Sequence, residues 1–151
     1  MIVIYTGVTH KGKVRAVNED AIGWSEQDGL AFVADGVGGH VGGQLASTLA
    51  KRVLLDTASK QDVENALAEA HAAIVNEGEI KPELQGMGTT IVLFAQSNDK
   101  SKIWWVGDSR AYLWRAKKLE QLTVDHSYVE ILRDKFKLTN EQIKHHPQRH
   151  L

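Results

Sequence analysis

The sequence predicts an α+β chain: strands first, two helices in the middle, strands again, and a short helical tail. Three observations carry this. Apolar runs at residues 30–34 and 89–95 are short and bounded by glycine or polar turn residues, which is the pattern of buried strands. Between them the apolar period changes to three and four residues, which is the pattern of amphipathic helices. At 151 residues, with no repeat, low-complexity segment or linker, the chain has room for one domain.

Each element follows in order. Residues 2–8 and 21–24 are short strand candidates, followed by 30–34. Over residues 40–56, Leu45, Leu49 and Val53 recur every four residues, with Ala46, Ala50 and Leu54 one step round the same face. Ser59-Lys-Gln-Asp62 is a capping signal for a second helix with the stripe Val63, Ala66, Leu67, Ala70 and Ile74, and Gly78 marks its stop. Residues 79–85 form a loop around Pro82. Strands return at 89–95, 102–106 and 111–115. The first two are joined by the turn Ser97-Asn-Asp-Lys100, and Lys117-Lys118 turns the last toward 119–122. A third helix is expected from about His126, with Val129, Leu132 and Phe136 inward, and Thr139-Asn-Glu-Gln142 is a capping box for a fourth.

Composition narrows the partners. Hydrophobic residues make up 42% and charged residues 25%, as in ordinary globular chains. Lys+Arg number 18 against 19 Asp+Glu, with no basic cluster, which argues against nucleic acid and acidic membrane as partners. No apolar run approaches the roughly 20 residues that span a bilayer, and the N-terminus lacks the features of a signal peptide. The chain has no cysteine, so it has no disulfide, zinc–thiolate site or thiol nucleophile. A cytoplasmic location fits these features.

The densest chemical signal is Leu30-Ala-Phe-Val-Ala-Asp35-Gly36-Val-Gly-Gly-His40. It places one carboxylate at the end of a buried strand. Gly36, Gly38, Gly39 and Gly42 follow, and they let backbone come close to whatever Asp35 binds. Two readings stand. Asp35 holds a hard cation by oxygen, or it caps the next helix, which is the commoner use of such a residue. Other acids sit at element ends: Asn18-Glu19-Asp20 before one strand, and Gly107-Asp108-Ser109-Arg110 between two others. If those strands neighbour one another, Asp20, Asp35 and Asp108 converge. Carboxylates without His or Cys select Mg or Mn, and two such ions are a device for splitting phosphate esters. Arg15 is placed to hold phosphate oxygens.

Five motifs then occur in order: Arg15-x-x-Asn18-Glu19-Asp20, Val33-Ala-Asp35-Gly36-x-Gly38-Gly39-His40, Gly86-Met-Gly-Thr-Thr90, Val106-Gly-Asp-Ser-Arg110-Ala-Tyr112 and Leu122-Thr-x-Asp125-His126-Ser127. In this the chain resembles the bacterial branch of the metal-dependent PP2C-type serine/threonine protein phosphatases, the PPM family. The resemblance implies an α-β-β-α sandwich of two antiparallel sheets flanked by helix pairs. It implies Asp35 as the carboxylate bridging two Mn or Mg ions, the Gly36 carbonyl as a further ligand, and Asp20 acting through water. Arg15 would bind the substrate phosphate, and Asp108 would help hold a third, looser ion. The substrate would be a phosphorylated protein, opposing a serine/threonine kinase.

The family domain continues beyond this chain. Two later metal-binding aspartates, in a Ser-Asp-Gly and an Asp-Asn motif, have no counterpart here, and Gln44 stands where the family usually has Glu. Residues 1–151 are therefore expected to be a truncated PP2C-like domain, incomplete at its C-terminus. It should have at most one well-held metal site, weak activity of its own, and a tendency to self-associate through uncovered sheet. The alternative is a non-catalytic module that binds phosphoprotein or regulates.

Other motifs take ordinary readings. Pro147 keeps His145, His146 and His150 off one helical face. Trp104 and Trp105 are consecutive, so they point to opposite faces of a strand, one toward the core and one toward a helix–sheet interface. Asp125-His126-Ser127 is no nucleophilic triad by adjacency, and Asp125 is expected to cap a helix. The glycine-rich run matches neither the dinucleotide nor the P-loop pattern.

Overall fold

The computed structural model describes residues 3–58, 62–97, 100–127, 135–137, 139 and 141–142. Strands β1 (Asp20–Ser25) and β2 (Leu30–Val37) form a hairpin. Gly29 turns it at φ 63, a conformation that costs glycine little. Helices α1 (Gly39–Thr57) and α2 (Val63–Ile80) follow, then a 3-10 turn at Pro82–Leu84. Next come β3 (Gly88–Thr89), β4 (Ile91–Ser97), β5 (Lys100–Val106), β6 (Tyr112–Arg115) and β7 (Lys118–Gln121). One antiparallel sheet runs β1-β2-β4-β5, with β3 paired to the end of β2; β6 and β7 form a second, two-stranded sheet.

The α+β class and the two antiparallel sheets are as the sequence predicts, and one helix pair lies on the larger sheet. Strand alternation gives that sheet two unlike faces. Ala21, Leu30, Phe32, Ala34, Leu93 and Ala95 are buried with Leu54, Val63 and Ala66 of the helices. A Cβ at Gly23 would stand 2.5 Å from the Phe32 ring, so only glycine there lets Phe32 seat. Helix packing continues through Ala46, Ala50, Ala70 and Ile74 to Leu84 and Met87. The opposite face is apolar too but open: Trp24 is 42% and Val33 43% exposed. Trp104 packs against the helix-side core and donates to Glu64 of α2, while Trp105 donates to the Val124 carbonyl.

Several boundaries differ from expectation. Residues 3–8 form no strand. They lie against Ile22 and Trp24, where a Cβ at Gly7 would be 2.9 Å from Ile22 Cδ1, and so they make no ladder with β1. Helix α2 passes Gly78 and ends at Ile80; the missing side chain instead gives room to Leu84, whose carbonyl would be 3.3 Å from a Gly78 Cβ. The expected strand 89–95 is broken at Thr90, whose N–H turns to the Asp35 carbonyl. The β6–β7 turn puts Ala116 and Lys117 at φ 51 and 61. The right-handed twist of the hairpin demands this conformation even without glycine. Asp125 caps no helix among the described residues; it pairs with Arg110. Of the third helix's expected inward positions, Val129 and Leu132 lie outside the described residues, as do His145, His146 and His150, while Phe136 is exposed and not inward. Thr139 and Gln142 form the reciprocal capping bonds expected of them.

Candidate metal centre

Asp20 opens β1 and Asp35 lies near the end of β2, and the two are direct cross-strand partners. Both are exposed in strands whose neighbours Ala21 and Ala34 are buried, so both carboxylates lie on the face away from the helices. Four main-chain bonds fix this strand end. The Asp35 N–H donates to Thr90 Oγ1 (3.1 Å). The Asp35 carbonyl accepts from Thr90 N (2.8 Å) and Thr89 Oγ1 (3.0 Å), and Gly36 N donates to the Glu19 carbonyl (3.1 Å). With its backbone satisfied, Asp35 presents only its carboxylate to the cleft.

That carboxylate is electrostatically unsettled. Partial burial raises its pKa, and so do the charges of Asp20 and Asp108, a hydrogen bond with Asp20, and the charge of Glu19. Two carboxyls can hydrogen-bond only by sharing a proton, and a cation between them would relieve the same repulsion. Asp20 and Asp35 are brought side by side, and Asp108 acts on Asp35 as a further like charge. Even so, no group of three His, Cys, Asp or Glu side chains at ligand spacing exists among the described residues.

The cleft beside Asp20 and Asp35 has a volume of about 420 Å³ and includes Arg15, Glu19, Gly36, His10 and Lys11 in its lining. Asn18 orients its floor, accepting from Asp20 N (3.1 Å) and donating to Thr9 Oγ1 (2.8 Å). Gly36 cannot be another residue: a Cβ there would lie 2.0 Å from the Gly43 carbonyl oxygen. This crossing brings the first turns of α1 against the end of β2. No side chain caps α1, so Asp35 is not its cap, and the capping reading falls.

Arg15 is 68% exposed, and its Nη1 stands 3.1 Å from Glu19 Oε2. Glu19 itself is a residue that sequence reasoning left without a role. Its side chain is 13% exposed, and Oε1 is buried with no hydrogen-bond partner in the structure. No periodicity marks it in the sequence, because residues 15–19 form no helix and the four-residue spacing from Arg15 is not a helical pair. The exposed Asp20 and Asp35 carboxylates offer oxygen donors, the donor type that suits Mg or Mn.

Residues 6–150 match the family model for protein phosphatase 2C. The chain belongs to that family. It is 34% identical over its full length to the serine/threonine protein phosphatase PstP of Mycobacterium tuberculosis, of which it covers 30%. It is 35% identical over 95% of its length to the serine/threonine phosphatase stp of Listeria welshimeri, of which it covers 62%. The crystal structure of the M. tuberculosis phosphatase PstP/Ppp superposes with a TM-score of 0.82 at 34% identity, covering 95% of this chain and 63% of that one. The PstP catalytic domain in complex with two manganese ions superposes at 0.78 and 33% identity, covering 89% of this chain and 61% of that one. The chain thus spans under two thirds of these relatives.

Proposed function

We propose that this chain carries the phosphate-binding and first metal-holding part of a cytoplasmic serine/threonine protein phosphatase that hydrolyses phosphoprotein monoesters made by a kinase. Asp35 and Asp20 would hold a Mn or Mg ion, with the Gly36 carbonyl as a further oxygen and Asp108 close by. When bound, such an ion lowers the pKa of a water and offsets phosphate charge. The protein's own groups do the rest. Arg15 keeps one edge of its guanidinium on Glu19 and turns the other to the phosphate. Lys11 lines the same cleft beside His10 and adds positive charge for a dianionic substrate. Asn18 and Thr90 hold the backbone of Asp20 and Asp35, so neither carboxylate swings away when substrate enters.

The observation that carries this reading is the like-charged Asp20–Asp35 pair, which has no cationic partner among the described residues and faces a cleft with Arg15. Calorimetric titration with Mn, with and without Asp35→Asn, is the test. Binding that Asp35→Asn abolishes, together with slow hydrolysis of para-nitrophenyl phosphate, is expected. No binding, or binding indifferent to Asp35, would refute it. Capture of a phosphopeptide without turnover would move the chain to the non-catalytic reading.

A further inference from the structure

The loop carrying Asp108 is tied at both ends to one short segment, residues 123–126. On the near side, His126 N donates to the Gly107 carbonyl (2.8 Å), and Gly107 N donates back to His126 Nδ1 (3.3 Å). The His126 ring stacks on Trp105, centroids 5.9 Å apart at 26°, and Trp105 Nε1 donates to the Val124 carbonyl (2.8 Å). On the far side, Arg110 grips Asp125 with a two-pronged pair, Nε to Oδ1 at 2.8 Å and Nη2 to Oδ2 at 2.5 Å. Ala111 N donates to Thr123 Oγ1 (3.1 Å). A third tie crosses to the Asp35 side: Ser109 and Thr90 share a hydroxyl bond of 2.7 Å, and Thr90 in turn holds Asp35 N. Gly107, at φ 100, packs so tightly on Thr90 that a Cβ would come within 2.6 Å of its Cγ2.

We propose that Asp125, acting through Arg110, and His126, acting through Gly107, are positioning residues that hold the Asp108 carboxylate toward the Asp20–Asp35 pair. The geometry supports this over a merely structural strap. Asp108 is exposed in the five-residue loop 107–111 between β5 and β6, and that loop is anchored by its ties to Thr90 and to residues 123–126. A bidentate Arg–carboxylate pair fixes orientation as well as distance. Groups one step behind a ligand commonly decide how well the ligand serves. The inference rests on the cation reading of the site, so its test separates the two.

The full 151-residue chain is titrated with Mn, with free ion read by its electron paramagnetic resonance signal. The series is wild type, Asp125→Ala, Asp108→Ala and the double variant. Asp125→Ala is expected to weaken Mn binding about tenfold, the low end for a group behind a ligand. Added to Asp108→Ala it should change nothing further. No effect in wild type, or an equal effect in the Asp108→Ala background, overturns the proposal. Amide hydrogen exchange of the metal-free protein supplies the second reading. Asp125→Ala should speed exchange at Gly107 and Asp108 while the β6–β7 ladder stays protected, and Asp125→Asn, which keeps an acceptor, should recover part of the loss. Unchanged loop exchange refutes the strap. If wild type binds no Mn yet the loop responds, the cation reading fails and the positioning role stands.

Discussion

Gly36→Ala isolates the feature on which the whole site depends. A Cβ at position 36 would meet the Gly43 carbonyl oxygen at 2.0 Å, the Gly43 carbonyl carbon at 2.4 Å and the Glu19 carbonyl oxygen at 2.7 Å. All three are backbone, so no side chain can swing aside. To reach even a tight contact of about 3 Å, α1 must move about 1 Å from β2, against a close-packed interior that resists such shifts. Overpacking of this kind costs about 1–3 kcal/mol. The shift also strains the Gly36 N–H to Glu19 carbonyl bond, worth about 1 kcal/mol. The expected loss is about 2–4 kcal/mol, or about 5–15 °C in Tm for a chain of this size. Gly39→Ala is the comparison: nothing lies within 4 Å of its Cβ, but φ is 73, so it pays only the left-handed cost of about 1–2 kcal/mol. Urea unfolding of both variants, followed by far-ultraviolet circular dichroism, measures the difference. If Gly36→Ala is no less stable than Gly39→Ala, the crossing is looser than the geometry states and the argument fails.

Further outcomes follow from the same residues. The raised pKa of Asp35 means that the folded metal-free protein binds more protons than the unfolded chain just above the ordinary carboxylate range, so stability there falls as pH rises; Asp35→Asn should remove that slope. Asp125, with its pKa lowered first by the Arg110 hydrogen bond, acts oppositely: its contribution is present above the ordinary carboxylate pKa and is lost as pH falls, so Asp125→Asn should flatten the acid limb of a stability–pH curve. Arg15→Ala should lower kcat/KM for para-nitrophenyl phosphate about tenfold, the low end for a hydrogen bond to a charged group because the side chain is so exposed; an unchanged value would remove Arg15 from phosphate binding. The open apolar face around Trp24 and Val33 should drive concentration-dependent association in sedimentation velocity, and a monomer that stays compact at high concentration and binds no hydrophobic dye would refute that.

What the sequence made legible was local. Helical stripes and the reciprocal Thr139–Gln142 cap each depend on residues a few positions apart, where propensity and spacing decide. The site is different in kind. Asp35 followed by glycines satisfied both a capping reading, the commoner use of such a residue, and a cation reading, since both ask for an acid beside flexible backbone. Only the register that sets Asp20 opposite Asp35, and the absence of a cap on α1, separates them. The bonds that hold the site span long separations: Asp35 to Thr90 across 55 positions, Trp105 to Val124 across 19, and Arg110 to Asp125 across 15. No periodicity encodes such pairings, and a residue such as Asp125 reads as a helix cap until the fold supplies Arg110. The same holds for Glu19. Its neighbours in sequence mark it only as part of an acidic strand start, while the α1–β2 crossing buries one of its oxygens without a partner. A buried, unpaired carboxylate oxygen is costly, and it persists here beside two acids that repel each other. The fold therefore keeps two like-charged carboxylates side by side at one strand end, a repulsion that the cation of the proposed function would relieve.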